Sequence, residues 1–86
     1  MKSQPLVSVI TPTFNSEKFI SETLISIINQ TYSNWELLIT DDNSSDSTVN
    51  IINDFIVKDK RIKLFQLNKN SGAGVARNNS IYYAQG

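Results

Sequence analysis

Three short apolar runs alternate with three stretches of helical period, and that order narrows the fold more than any other property of this 86-residue chain. LVSVIT (residues 6–11) is β-branched and apolar almost throughout. Such a run suits a strand buried on both faces, as in a parallel sheet, rather than a half-exposed one. Pro12 should end it, because proline cannot donate to a sheet ladder. WELLIT (residues 35–40) is a second strand of this kind, and RIKLFQL (residues 61–67) is a third of more mixed polarity.

Between the strands the period changes. Ile20, Leu24, Ile27 and Ile28 fall at i, i+4, i+7 and i+8, which marks one face of a helix starting from Ser16 and fading near Gln30. Asn15 or Ser16 suits its N-cap, and Glu17 suits the positive end of its dipole. A second helix, capped by Ser44 or Ser45, carries Val49, Ile52 and Ile56 on one face and ends near Lys58. A third, over residues 73–84, presents Ala73, Ala76 and Ser80, small side chains that let a helix sit close against a sheet. Gly86 reads as its C-cap. The β-α-β-α-β-α order predicts an α/β fold with a parallel three-stranded core sheet and right-handed connections, in one unit spanning residues 1–86.

Composition excludes several functions. Eight basic and eight acidic residues cancel, so the chain lacks the footprint of a nucleic-acid binder. Cysteine and histidine are both absent, which removes disulfides, thiolate or imidazole metal sites, and Ser-His-Asp or Cys-His chemistry. Any metal would be held by carboxylates and water, which favours magnesium or manganese. The start, MKSQPLVSVI, is too short in its apolar part for a signal peptide or a membrane span, so a cytoplasmic chain is expected.

In open parallel sheets, ligands bind beyond the carboxyl ends of the strands. Three polar segments fall at that edge: TPTFNSE (11–17), TDDNSSD (40–46) and NKNSGAG (68–74). Asp41 and Asp42 admit a structural reading, in which Asp42 or Asn43 forms an Asx turn and Asp46 favours the next helix. They also admit a ligand reading, since a turn needs one carboxylate and the second could accept from N–H or O–H donors. Metal ranks last, because adjacent carboxylates on an extended strand point in different directions and chelate one ion poorly. Phe14 could staple against Phe19 across an Asn15 cap, or offer a platform for a planar base. GAGVAR (72–77) is not a dinucleotide fingerprint, because its sixth position is Arg77 and it follows the third strand. Its glycines let the chain turn tightly into the third helix. Arg77, about one turn in, is either solvated or meets an anion such as an aspartate or a phosphate.

Taken together, VSVITPTFN, SIINQTYSNWELLITDDNSSDST and NSGAGVARN resemble the start of a family-2 glycosyltransferase, in order and in spacing, over nearly the whole chain. The resemblance implies the Rossmann-like β-α-β-α-β-α half of a GT-A fold, stopping before its fourth strand. It implies nucleotide binding by Thr11, Pro12, Thr13 and Phe14, with Phe14 packing on a uracil ring. It gives Asp42 a hydrogen bond from the base, Asp41 a role supporting the loop, and Asn70, Gly72 and Arg77 places beside the nucleotide. The full-length enzyme would take a nucleotide-sugar donor, a UDP-sugar, and a saccharide or lipid-linked acceptor, in polysaccharide or glycoconjugate synthesis.

The same resemblance places the Asp-x-Asp motif that holds Mg or Mn, and the catalytic base, beyond residue 86. No catalytic residue and no metal ligand is therefore expected in this chain, and in isolation it should be inactive. The full-length protein would be cytoplasmic and could work at the inner face of the membrane. A different class is a non-catalytic nucleotide-binding or self-assembling module, a homo-oligomer pairing through the exposed edge of the first strand. A receiver-like signalling domain would need its acidic pair after strand one and a phosphoacceptor aspartate after strand three, and neither is present.

Overall fold

The structure, a computed structural model, describes residues 4–86. The elements alternate as the sequence predicts: β1 (Val7–Thr13), α1 (Ile20–Asn29), β2 (Trp35–Asp41), α2 (Thr48–Lys58), β3 (Ile62–Gln66) and α3 (Ala73–Tyr83). The strands pair in parallel in the order β1-β2-β3, with Val9 opposite Leu37 and Leu37 opposite Ile62. All seven residues of the central strand are buried, which is why WELLITD reads as a nearly continuous apolar run.

Pro12 does not end β1, which runs through it to Thr13. The odd-numbered residues bond to β2: the Val7 N–H donates to Asn34 O at 3.0 Å, and Thr13 O accepts from the Asp42 N–H at 2.8 Å. Pro12 therefore turns its ring nitrogen away from β2, so the β1–β2 ladder loses no donor.

Alternation sorts the side chains of β2 onto two faces. Trp35, Leu37 and Ile39 join Ile20, Leu24, Ile52 and Ile62 in the main core, with Ile27, Ile28 and Ile56 packed around it. The expected apolar stripes of α1 and α2 meet on this face. The other face carries Leu38 and Thr40 under α3, whose Ala76 and Ser80 are fully buried. Ser80 Oγ lies 2.7 Å from Thr40 Oγ1, and Asn79 Nδ2 donates to the same oxygen at 3.1 Å. Contacts this short require small residues on the helix, as expected for Ala76 and Ser80. Phe65 and Tyr83 stack with their rings 4.5 Å apart at the far end of α3.

Helix starts differ from expectation. The chain turns at Ser16, whose carbonyl accepts from the N–H groups of Phe19 and Ile20, but α1 begins only at Ile20 and has no side-chain cap. Ser44 and Ser45 do not cap α2, which begins at Thr48; the Asp46 carboxylate accepts the Thr48 N–H instead, at 2.9 Å. Gly86 is not a C-cap either, since α3 ends at an extended Ala84. Gly86 lies beside β1, where its N–H donates to Ser8 Oγ at 2.8 Å and an added Cβ would collide with the Leu6 backbone.

Glu36, only 6% exposed, anchors this return. Its Oε2 accepts from the Ser8 hydroxyl at 2.6 Å and from the Gln85 N–H at 2.7 Å, and Lys63 stands 3.6 Å from Oε1. The Ser8 hydroxyl, with help from Gln85 and Lys63, outweighs desolvation and holds the carboxyl below the usual glutamate range. A depressed folded-state pKa contributes stability that is present above the unfolded value of about 4.3. That stability is lost as the pH falls through the lower folded value. Glu36→Gln should lower Tm at neutral pH and flatten the acid side of the Tm-versus-pH curve. An acid side unchanged by the substitution would show that other carboxylates set it.

Candidate functional site

α1 and α2 cover one face of the sheet, whereas α3 crosses back over the other face and packs mainly on β1 and β2. The direction of winding thus reverses after β3, and in open α/β sheets a crevice forms at the carboxyl ends of the strands where it does so. At that end β2 delivers Asp41 and Asp42 to opposite faces.

Asp41 faces inward and is 1% exposed. It accepts the Thr13 hydroxyl at 2.8 Å, the Ser44 N–H at 2.7 Å and the Ser44 hydroxyl at 2.6 Å. The turn after β2 is thus organised by Asp41, not by Asp42 or Asn43, and Asn43 takes the left-handed conformation that asparagine tolerates, with φ 62°.

Ser44 continues the linkage by accepting the Asn15 N–H at 2.8 Å, and Asn15 Oδ1 accepts the Ser45 N–H at 2.9 Å. Further along, Ser16 N–H donates to Thr48 Oγ1 at 2.7 Å, and the Ser47 N–H donates to Glu17 Oε1 at 2.8 Å. Burial opposes ionisation of Asp46, yet the Thr48 hydroxyl and the N–H groups of Thr48 and Glu17 hold its carboxyl below the usual range. The two loops are zipped together, and this is what diverts Ser44 and Ser45 from capping α2. Phe14 rides on the first loop, 48% exposed, with Phe19 also exposed at 66%. A mutual staple would have covered both rings.

Asp42, 4% exposed, reaches the third loop. Its Oδ1 accepts the Ser71 N–H at 2.6 Å and its Oδ2 accepts the Gly72 N–H at 2.8 Å. Gly72 opens α3 with φ 96°, which explains the glycine at this tight turn. Between the three loops lies a cleft of about 300 Å³, lined by Pro12, Thr13, Phe14, Asp42, Asn70, Gly72 and Ala73.

Six of the nine candidate residues, Pro12, Thr13, Phe14, Asp42, Asn70 and Gly72, therefore meet in one cavity. Thr11 lies within β1 opposite Ile39, below the cleft, and Asp41 supports it from behind. Arg77 lies outside the lining, exposed on α3, and makes no ion pair among the described residues. Ala73, read as a packing residue, is exposed and forms part of the wall. Ser71 contributes a main-chain N–H, which no side-chain pattern in the sequence reveals. Among the described residues no group of three or more carboxylates could hold a metal ion, and the oxygens of Asp41 and Asp42 are engaged by hydrogen bonds.

A sequence model of glycosyl transferase family 2 matches residues 8–86. The UDP-Glc:alpha-D-GlcNAc-diphosphoundecaprenol beta-1,3-glucosyltransferase WfgD of Escherichia coli is 47% identical over 81 residues, 94% of this chain and 31% of that protein. S. aureus TarS 1–349, solved in complex with UDP, superposes with a TM-score of 0.88 at 39% identity, over 95% of this chain and 25% of its own. The mannosyltransferase PcManGT of Pyrobaculum calidifontis, solved with GDP-Man and Mn2+, gives 0.85 at 26% identity, over 92% of this chain and 24% of its own. The chain spans about a third of the length of the curated relatives it matches.

Proposed function

The chain belongs to glycosyl transferase family 2, and from that premise we propose that it forms the nucleotide-recognition part of an enzyme transferring a sugar from a UDP-sugar to a hydroxyl acceptor. The observation that carries this reading is the cleft at the switch point, walled by a half-exposed aromatic and a buried carboxylate. About 300 Å³ is at the lower end of small-molecule sites and suits a nucleobase rather than a whole nucleotide-sugar. Phe14 supplies a face for stacking. Asp42 has about four acceptor positions on its carboxylate, and two backbone N–H groups use only two of them. The remainder can accept the imide N–H of uracil. The UDP complex of TarS, a structural neighbour, supports this choice of base.

In the full-length enzyme a carboxylate base takes the proton of an acceptor hydroxyl as its oxygen attacks the anomeric carbon, and the nucleoside diphosphate leaves. We assign none of these chemical roles to residues of this chain. Pro12, Thr13, Phe14, Asp42, Asn70 and Gly72 are assigned to the nucleotide cleft and Thr11 and Asp41 to its support, with Arg77 on α3 outside the lining. The divalent metal seen in the PcManGT complex would be held outside these residues. By analogy with WfgD, whose acceptor is diphosphoundecaprenol-linked, the acceptor is lipid-linked, which would bring the enzyme to a membrane surface. No helix among the described residues is long and apolar enough to cross a membrane. A purely non-catalytic or self-assembling module is disfavoured by the glycosyltransferase names of the relatives.

Asp42→Ala in the full-length protein should weaken UDP binding by about 1.5–3 kcal/mol, the range for a hydrogen bond to a charged group. Calorimetry on the folded variant is the measurement. Unchanged affinity would remove Asp42 from nucleotide recognition.

A further inference from the structure

We propose that Asp42 is a positioning residue that ties the two walls of the cleft together, so that the Asn70–Gly72 wall stands where it does because the Asp42 carboxylate holds it. The inference deepens the nucleotide-site reading and rests on it for its functional consequence, though not for its structural part.

Asp42 bonds to both walls at once. Its own N–H donates to Thr13 O at 2.8 Å, which fixes it to the loop that carries Phe14. Its two carboxylate oxygens accept one N–H each from Ser71 and Gly72, at 2.6 and 2.8 Å. These residues lie 29 and 30 positions away, so the bonds close a long-range contact rather than a local turn. Two converging N–H donors need two acceptors side by side, which a carboxylate provides and a carboxamide does not. At position 42 an asparagine would turn its NH₂ toward one of the donors and leave that N–H without a partner. Burial raises the consequence, because an unmet donor at a 4% exposed site regains little from water. Among the described residues, no other side chain accepts from the N–H of Ser71 or Gly72. Asp42 therefore shapes the cleft even without ligand, and ligand affinity depends on it twice.

The test is amide hydrogen exchange on the ligand-free full-length protein, paired with UDP titration. Asp42→Asn should raise exchange over residues 70–73 by about tenfold or more, the equilibrium equivalent of one charge-assisted bond. Exchange over β2 and α1 should stay as in the wild type. Ser71→Pro deletes the N–H that donates to Asp42, together with the hydroxyl that donates to Lys69 O at 3.1 Å, while leaving the carboxylate untouched. Ser71 lacks the positive φ that would forbid proline, since Asn15 and Asn43 are the non-glycine residues of that kind among the described residues. This variant should loosen the same segment and weaken UDP binding, although Ser71 is not part of the cleft lining. The double variant should lose less UDP affinity than the sum of the two single losses, since both substitutions loosen the same contact between Asp42 and the third loop.

Unchanged exchange over residues 70–73 in folded Asp42→Asn would overturn the proposal, as would additive losses of affinity. If Asp42→Asn does not fold, Ser71→Pro decides: wild-type UDP affinity in that variant refutes the coupling. A wild type that ignores UDP, while its loop protection still depends on Asp42, would sink the nucleotide reading and leave the positioning role standing.

Discussion

Asp41→Ala should lose about 3 kcal/mol or more of folding stability and abolish nucleotide binding, although Asp41 does not line the cleft. The carboxylate is 1% exposed and takes three hydrogen bonds, from the Thr13 hydroxyl and from the N–H and hydroxyl of Ser44. Each bond to a charged group contributes about 1.5–3 kcal/mol, and donors left buried and unmet cost a further amount. Ser44 is only partly buried and can turn to water, so the three contributions do not simply add. The functional loss follows from the linkage. Ser44 carries the Asn15 N–H, and the left-handed Asn15, at φ 46°, follows directly on Phe14. Releasing Ser44 frees the aromatic wall. Urea unfolding and UDP titration are the two measurements, and Asp41→Asn should fall between wild type and alanine because it keeps one acceptor. A loss under about 1 kcal/mol would mean that the loop is held by the other cross-links, those of Ser16 to Thr48 and Glu17 to Ser47.

Leu38→Ala should cost about 2–5 kcal/mol, the range for truncating a fully buried leucine. Leu38 is 0% exposed on the face that α3 covers, where the helix itself contributes only the small buried residues Ala76 and Ser80. Leu37 and Ile39, on the opposite face, are backed by α1 and α2 and by five further buried apolar side chains. α3 has no such reserve, so a void at Leu38 should loosen that helix in preference to α1 and α2. Since Gly72 and Ala73 open α3 and also wall the cleft, UDP affinity should fall together with stability. Hydrogen exchange that rises equally across all three helices would instead mean that the two faces unfold as one.

How much of this was legible in the sequence depends on the range of the interaction responsible. The stripe Ile20, Leu24, Ile27, Ile28 and the run WELLIT specify a helix and a buried strand from their own spacing, and both lie where they were expected. Ala76 and Ser80 announced a close helix-sheet contact for the same reason. Helix starts were less legible. Ser44 and Ser45 have the chemistry of N-caps, yet Asp41 and Asn15 compete for them and win, while Asp46 takes the N–H of Thr48. Pro12 is a similar case: its missing N–H interrupts a ladder only on the side it faces, and here it faces away from β2.

The acidic pair shows the limit most clearly. One aspartate more than a turn requires pointed to a second job, and the family resemblance made it base recognition. The structure adds a further acceptor role for each: Asp41 for Thr13 and Ser44, Asp42 for Ser71 and Gly72. By itself, then, the sequence determined the order and type of the elements, the buried faces and the edge of the sheet where polar loops collect, because periodicity and apolar content are local properties. Only the tertiary structure decided which polar groups meet at that edge. Those partners lie some 30 residues apart and are brought together by α3 crossing back over β1 and β2.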